Sequence, residues 1–403
     1  MKWLMFAIQN TRRNRRRSLV TVAIAALGTA AILLAGGFAL FTYQALAQAA
    51  ARSTGHLIVG LPAQFTQDED TPLQHGLEQY AAVSAALLAD PEVRQVLPRV
   101  AFSGLISNGD KSTVMLANGV QPDAEFAVKG PFLNMVAGDV LASDTAQAEV
   151  MLGEGLARSL KAKPGSSLTL LASTTDGALN ALDVAVKGVF STGVPDIDKR
   201  LVYTDLVTAQ KLLNTQRVST LGVFLKSMEA TDAAQQRVAR ANPRLTVQTW
   251  LDQAFFYQSV RGLYNRIFGA LGLIIGVIVV FVVTNAMAMA IIERTREIGT
   301  LRALGTLPSQ LLRTLALEGM VLGGVGAVLG ALTALGISLL LYVVPVQMPP
   351  PPGSSRGYPL NIAIDPLMVA TTVVAMVVLA MLASAWIARK TVHMPVADAL
   401  AHT

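Results

Sequence analysis

The chain has no cysteine and little charge: charged residues make up 14% and aromatic residues 6% of its 403 positions. The absence of cysteine fits a domain that faces an oxidising compartment and holds together without disulfides. Its four histidines, His56, His75, His393 and His402, include no pair at metal-ligand spacing. H-E-x-x-H is missing, and no glycine is followed by lysine, which rules out a phosphate-binding P-loop. The neighbouring acids Asp68, Glu69 and Asp70 lie in a polar stretch and read as an exposed loop rather than a catalytic pair.

Apolar sequence, by contrast, is abundant. Hydrophobic residues make up 52% of the chain, too many for a soluble protein of this length. They gather in four runs, 18–42, 267–292, 315–344 and 366–388. At ~1.5 Å per helical residue each run crosses a ~30 Å hydrocarbon core with some tilt. The expected fold is an α-helical membrane protein with four transmembrane helices and a large α/β domain, 43–266, inserted between the first two.

The charge of +6 is unevenly placed. Lys2, Arg12, Arg13, Arg15, Arg16 and Arg17 precede the first run. Arg294, Arg296, Arg302 and Arg313 lie in or beside the 293–314 loop, and Arg389 and Lys390 follow the fourth run. The outer loop 345–365 has only Arg356, and the large insert is nearly balanced. Basic flanks stay in the cytoplasm, so 1–17, 293–314 and 389–403 are expected inside, and 43–266 and 345–365 outside. Arginines beside a span are an orientation signal and give no support to nucleic-acid binding. Ala45-Leu46-Ala47 resembles a signal-peptidase site, but the apolar run before it is too long for a cleaved signal and reads as a retained anchor.

Residues 1–10 suit a short interfacial helix, and the alanine-rich 43–52 segment should continue the first span outward as a stalk. Residues 250–266 read as the returning stalk, with aromatics at the interface. Between them strands and helices mix, with a hairpin expected at Asn108-Gly109-Asp110 and a strand-to-helix turn at Gly153. Gly272, Gly276, Gly326 and Gly330 are candidates for close helix packing, within the chain or against a second copy. The loop 345–359 is too rich in proline for a helix, and Asp365-Pro366 should cap and start the last span. The middles of the four spans carry no ionisable side chain, which disfavours an ion-coupled transporter; Glu318 lies near the start of the third.

The 293–318 segment is the most informative. Ile298, Leu301 and Leu304 recur at spacing three and are expected on one face of a short helix ringed by Arg296, Glu297 and Arg302. Gly299 permits close approach, Gly305 a sharp exit, and Pro308 restarts a helix. Such an element does no chemistry; it offers a docking surface or simply connects two spans.

The run Glu293-Arg294-Thr295-Arg296-Glu297-Ile298-Gly299-Thr300-Leu301-Arg302-Ala303-Leu304-Gly305, with Gln310 and Glu318, resembles the hallmark of ABC transporter permeases of the MacB/FtsX/LolC–LolE type. Asn10–Leu19 resembles the start of their first span. Leu152–Ala157, Lys163-Pro164-Gly165, Lys187-Gly188-Val189 and Ala209-Gln210 are similar to their periplasmic core domain, and Pro395–Leu400 to their usual ending. The resemblance implies a multi-pass protein of the bacterial inner membrane that is not itself an enzyme. It implies ATPase coupling through Glu293, Arg296, Glu297, Ile298, Gly299, Leu301, Arg302 and Gly305. It further implies a cytoplasmic ABC ATPase dimer that binds ATP and Mg, and a second permease copy or paralogue. A periplasmic adaptor or lipoprotein carrier and membrane lipids complete the implied partners. Lipoproteins, lipids or amphiphiles would be moved by mechanotransmission through the stalks. An FtsX-like regulator that activates a periplasmic hydrolase is the alternative, and a membrane-anchored enzyme has nothing but the size of its outer domain to support it.

Overall fold

The computed structural model describes residues 15–67, 69–130, 134–143, 147–293, 295–348 and 358–392. The expected interfacial helix at 1–10, Asp68, Arg294, residues 349–357 of the Pro-rich loop and the Pro395–Leu400 ending lie outside the described residues. The chain forms two compact units, one holding the apolar helices and the other Ala45–Gln258.

Helix α1 (Arg15–Thr54) runs through the first apolar stretch and on through the alanine-rich segment without a break. Alanine loses no side-chain entropy in a helix, so nothing there interrupts it. Gly55, at φ 104°, ends it, and β1 (Leu57–Gly60) begins. After α2 (Pro62–Thr66) and α3 (Tyr80–Leu88), β2 (Val93–Ser107) and β3 (Ser112–Val120) form the expected hairpin. Asn108 Oδ1 accepts from the N–H groups of Asp110 and Lys111 there, and Gly109 takes φ 90°. Then come α4 (Pro122–Lys129), β4 (Asn134–Gly138) and β5 (Glu149–Gly153), which turns straight into α5 (Glu154–Leu160). A second hairpin, β6 (Ser167–Ser173) and β7 (Leu179–Ser191), precedes α6 (Pro195–Asp198), β8 (Leu201–Asp205) and α7 (Leu206–Leu213). β9 (Thr220–Leu225), α8 (Thr231–Ala241) and β10 (Thr246–Thr249) close the unit.

The strands form a 10-stranded sheet in the order β10-β1-β9-β2-β3-β8-β5-β7-β4, with β6 bridging β2 and β7. Through that bridge β2, β3, β8, β5, β7 and β6 close into a ring. The long β2 belongs to two lobes. Its first half pairs β9 as far as Arg99, and its second half pairs β3 from Val100 onward. Alternation sorts its partner's side chains: Met115 and Ala117 of β3 are buried while Val114 and Leu116 are exposed.

The returning chain, expected as a stalk over 250–266, is helical with one break. α9 (Trp250–Gln253) is capped by a Thr249–Asp252 capping box and stops at Ala254, before α10 (Phe255–Glu293) starts. α11 (Thr295–Ala303), α12 (Pro308–Val343) and α13 (Pro366–Val392) follow. Asp365 Oδ2 accepts from the Met368 N–H, capping α13 as its Asp-Pro pair predicts. Among the described residues four helices, of which α11 is not one, are long and apolar enough to cross a membrane.

Within the helical unit α12 carries two glycine faces. Gly319 and Gly323 lie against Ser384 and Ala380 of α13, and Gly326 and Gly330 against Ala25, Ala26 and Thr29 of α1. Ser384 Oγ, fully buried, donates to the Leu315 carbonyl at 2.6 Å. Bare backbone lets three helices meet closely where lipid supplies no hydrophobic drive.

Candidate functional site

Two places stand out: the short helix α11 and the root of the two long helices in the inserted unit. At α11, Thr295 Oγ1 donates to the Ile292 carbonyl across the helix break. Ile298 and Gly299 are buried, Ile298 in a cluster with Leu311, Leu315 and Ala383. Arg296 is exposed, Leu301 is 40% exposed, and Leu304 and Leu307 lie open at 81% and 58%.

The expected common face of Ile298, Leu301 and Leu304 is therefore not a single buried face. A spacing of three falls short of the ~3.6-residue turn, so each step rotates about 60° and Leu304 ends about a third of a turn from Ile298. The helix closes with a Schellman motif. Gly305, at φ 92°, donates to the Arg302 carbonyl, and Thr306 to that of Leu301. Pro308 then opens α12 with Leu307 as its N-cap. Arg302 is half-buried and partnered. The backbone places Glu293 at the end of α10 and Glu297 within α11; their side chains lie outside the described ones.

The glycines divide. Gly326 and Gly330 meet α1, whereas Gly272 and Gly276, on α10, have open space where a Cβ would stand. Leu273, Val277 and Phe281 beside them are also exposed.

In the inserted unit, the glycines of Leu152-Gly153-Glu154-Gly155 have a packing reason. A Cβ on Gly153 would overlap the Asp198 backbone, and one on Gly155 would crowd Lys199. Asp198 in turn accepts from Ser191 Oγ, Thr192 N–H and Thr192 Oγ1. These contacts make a structural joint between the β5–α5 turn and α6. Among the described residues no group of three His, Asp or Glu could hold a metal ion.

The root of the long helices is built on β1 and β10, which pair antiparallel with Leu57 opposite Thr249. The Trp250 N–H donates to the His56 carbonyl, and His56 Nδ1 accepts from the Leu225 N–H at 3.0 Å. Burial, then Arg52, lowers the His56 pKa against an opposing pull from Glu229, so the ring stays a neutral acceptor. Beside it Arg99, Glu125 and Lys129 form an ion cluster that the sequence did not suggest. Glu125 and Lys129 stand four apart behind Pro122, a readable pair, but Arg99 joins them only through the fold.

The sequence profile of the MacB-like periplasmic core domain matches residues 18–241, and that of the FtsX-like permease C-terminal region matches 269–396. The chain is 27% identical over 263 residues to the lipoprotein-releasing system transmembrane protein LolE of Haemophilus influenzae, covering 63% of this chain and 62% of that one. It is 24% identical over 270 residues to the macrolide export ATP-binding/permease protein MacB of Acinetobacter baylyi, covering 64% of this chain and 39% of that one. The matches thus span about three fifths of the lipoprotein-releasing relatives, 62% and 61% of the LolE and LolC proteins. The periplasmic region of MacB from Actinobacillus actinomycetemcomitans aligns at a TM-score of 0.37 and 15% identity, covering 52% of this chain and 95% of that one. With its four long apolar helices and its extracytoplasmic insert, the chain belongs to the family of ABC transporter permeases that join a MacB-like periplasmic core domain to an FtsX-like C-terminal region.

Proposed function

We propose that the chain is the transmembrane subunit of an ABC transporter in the bacterial inner membrane. A separate ATPase dimer, which binds the ATP and Mg, drives it, and a second permease copy or paralogue completes it. The observation that carries this reading is α11, a short helix anchored by Ile298 whose Arg296, Leu301 and Leu304 remain exposed. Basic flanks put α11 and both ends in the cytoplasm, where an ATPase can grip it. The open face at Gly272 and Gly276 suits the second copy.

In this reading ATP-driven closure displaces α11, the spans move, and the long helices carry the motion to the outer domain. The substrate is a lipoprotein, lipid or other amphiphile handled outside the bilayer or drawn from its outer leaflet. The relatives named for lipoprotein release and macrolide export support that class.

The test is ATP turnover by the full chain with its co-purifying ATPase in lipid nanodiscs. Glu297→Arg and Arg302→Glu should each lower stimulated turnover about tenfold, the equivalent of ~1.4 kcal/mol of lost interface energy. Leu304→Ser should do the same without lowering the melting temperature, because that side chain is 81% exposed. Unchanged turnover in all three would refute the assignment.

A further inference from the structure

One chain of charged groups in the inserted unit links the end of α1 to the closed ring of strands. The last carbonyls of a helix have no donor within it. Here Arg99 Nη1 donates to the Ser53 carbonyl at 2.6 Å, one residue before α1 ends. The same guanidinium holds Glu125 with its other nitrogens, Nη2 to Oε1 at 2.7 Å and Nε to Oε2 at 3.2 Å. Glu125, 1% exposed at its side chain, also receives Lys129 Nζ at 3.0 Å. Lys129 in turn donates to the Tyr203 hydroxyl on β8, at 2.6 Å.

Arg99 stands where β2 passes from its β9 partner to its β3 partner, the seam between the two lobes. Space has been left for it. Phe224 lies 5.8 Å from the guanidinium, and a Cβ on Gly222 would come within 2.9 Å of the Thr54 carbonyl oxygen and 3.4 Å of Arg99. A buried ion cluster is poor evidence of stability, since apolar residues of the same shape serve as well. What the guanidinium adds is geometry: its rigid fork grips helix end and carboxylate together, which a lysine cannot do.

We propose that Arg99 is the positioning residue that carries movement of α1 into the six-strand ring, with Glu125 and Lys129 relaying it to Tyr203. The proposal rests on the permease reading above. If α1 shifts along its axis, the Ser53 bond either breaks or draws Arg99, and with it Glu125 and α4.

The chain lacks cysteine, so introduced cysteines take spin labels cleanly. Labels go at exposed Gln48 on α1 and exposed Leu179 on β7, in the full chain with its co-purifying ATPase in nanodiscs. ATP with vanadate should shift the Gln48–Leu179 distance distribution. The double variant Arg99→Gln/Glu125→Gln leaves no buried carboxylate facing a lost guanidinium; it should keep ATP turnover within about twofold and lose the shift. Arg99→Lys, which keeps the charge but not the fork, should lose it too. A merely structural role predicts a lower melting temperature with the shift intact. That result, or a full shift in Arg99→Lys, overturns the proposal. Failure of the permease reading looks different: no ATPase co-purifies, or nucleotide moves nothing in the unsubstituted chain, and Arg99 then has no motion to carry.

Discussion

Leu57 lies directly opposite Thr249, in an antiparallel ladder that also pairs Ile58 with Gln248 and Val59 with Val247. The strand that follows α1 and the strand that leads to α9 and α10 are therefore hydrogen-bonded neighbours. Both long helices are rooted in one ladder, so a pull on either root should be shared with the other.

A cross-link tests that sharing. Opposed residues in such a ladder hold their Cβ atoms about 4.5–5.5 Å apart, near disulfide reach. Ile58→Cys with Gln248→Cys should oxidise readily, and under the proposed permease function ATP turnover by a co-purifying ATPase should stay within about twofold of the reduced form. Turnover that collapses on oxidation and returns with reductant would mean that the two roots separate during the cycle.

Glycines of α12 that touch a neighbour should differ from the one that does not. Gly330→Ala sets a methyl against the Ala26 carbonyl and 2.7 Å from Thr29 Cβ, so α1 and α12 must part. The expected loss is about 1–3 kcal/mol, read as a lower melting temperature in detergent. At Gly336 nothing among the described residues lies within 4 Å of where a methyl would stand, and Gly336→Ala should gain about 0.5–1 kcal/mol from helix propensity alone. Equal effects at the two sites would contradict the packing described.

Acid should weaken the inserted unit in two separable stages. The lowered His56 pKa means that the unfolded chain takes up that proton first. Its contribution is whole above the ordinary histidine range and begins to fail as the pH drops below it. For Glu125, burial opposes the charge, but Arg99 and Lys129 outweigh it and hold the carboxyl below its ordinary range. That contribution is whole above the ordinary carboxylate range and is lost as the pH falls through the lower folded value. Denaturant titration of the full chain at stepped pH should show both stages, with His56→Gln removing the upper and Glu125→Gln the lower. An unchanged profile in Glu125→Gln would show that the cluster contributes nothing.

Local patterns were the readable part of the inserted unit. The β2–β3 hairpin follows from Asn108-Gly109-Asp110, and the β5–α5 turn from Gly153, because each is set by residues within a few positions. α4 and β4 escaped. α4 carries charges on a short segment, and β4 is five residues with a glycine and an alanine, so neither has a hydrophobic period long enough to read. Ring closure through β6 was equally hidden, since Leu105 meets Leu171 across a separation that no local signal spans.

At α11 the boundary between the two kinds of knowledge is sharp. Gly305 and Pro308 mark its exit and the next start by backbone chemistry that any chain obeys. Which of Ile298, Leu301 and Leu304 is covered depended on where α12 and α13 came to lie.

The residues alone dictated that four apolar helices form and that a mixed domain separates the first two. Length, hydrophobicity and capping are local, and they act before any packing. It took the folded chain to settle that Gly326 and Gly330 face α1 while Gly272 and Gly276 face open space, and that Arg99 reaches both Ser53 and Glu125. Those contacts join residues far apart in the chain, and their partners are chosen by strand register and helix rotation, which no short stretch of residues specifies.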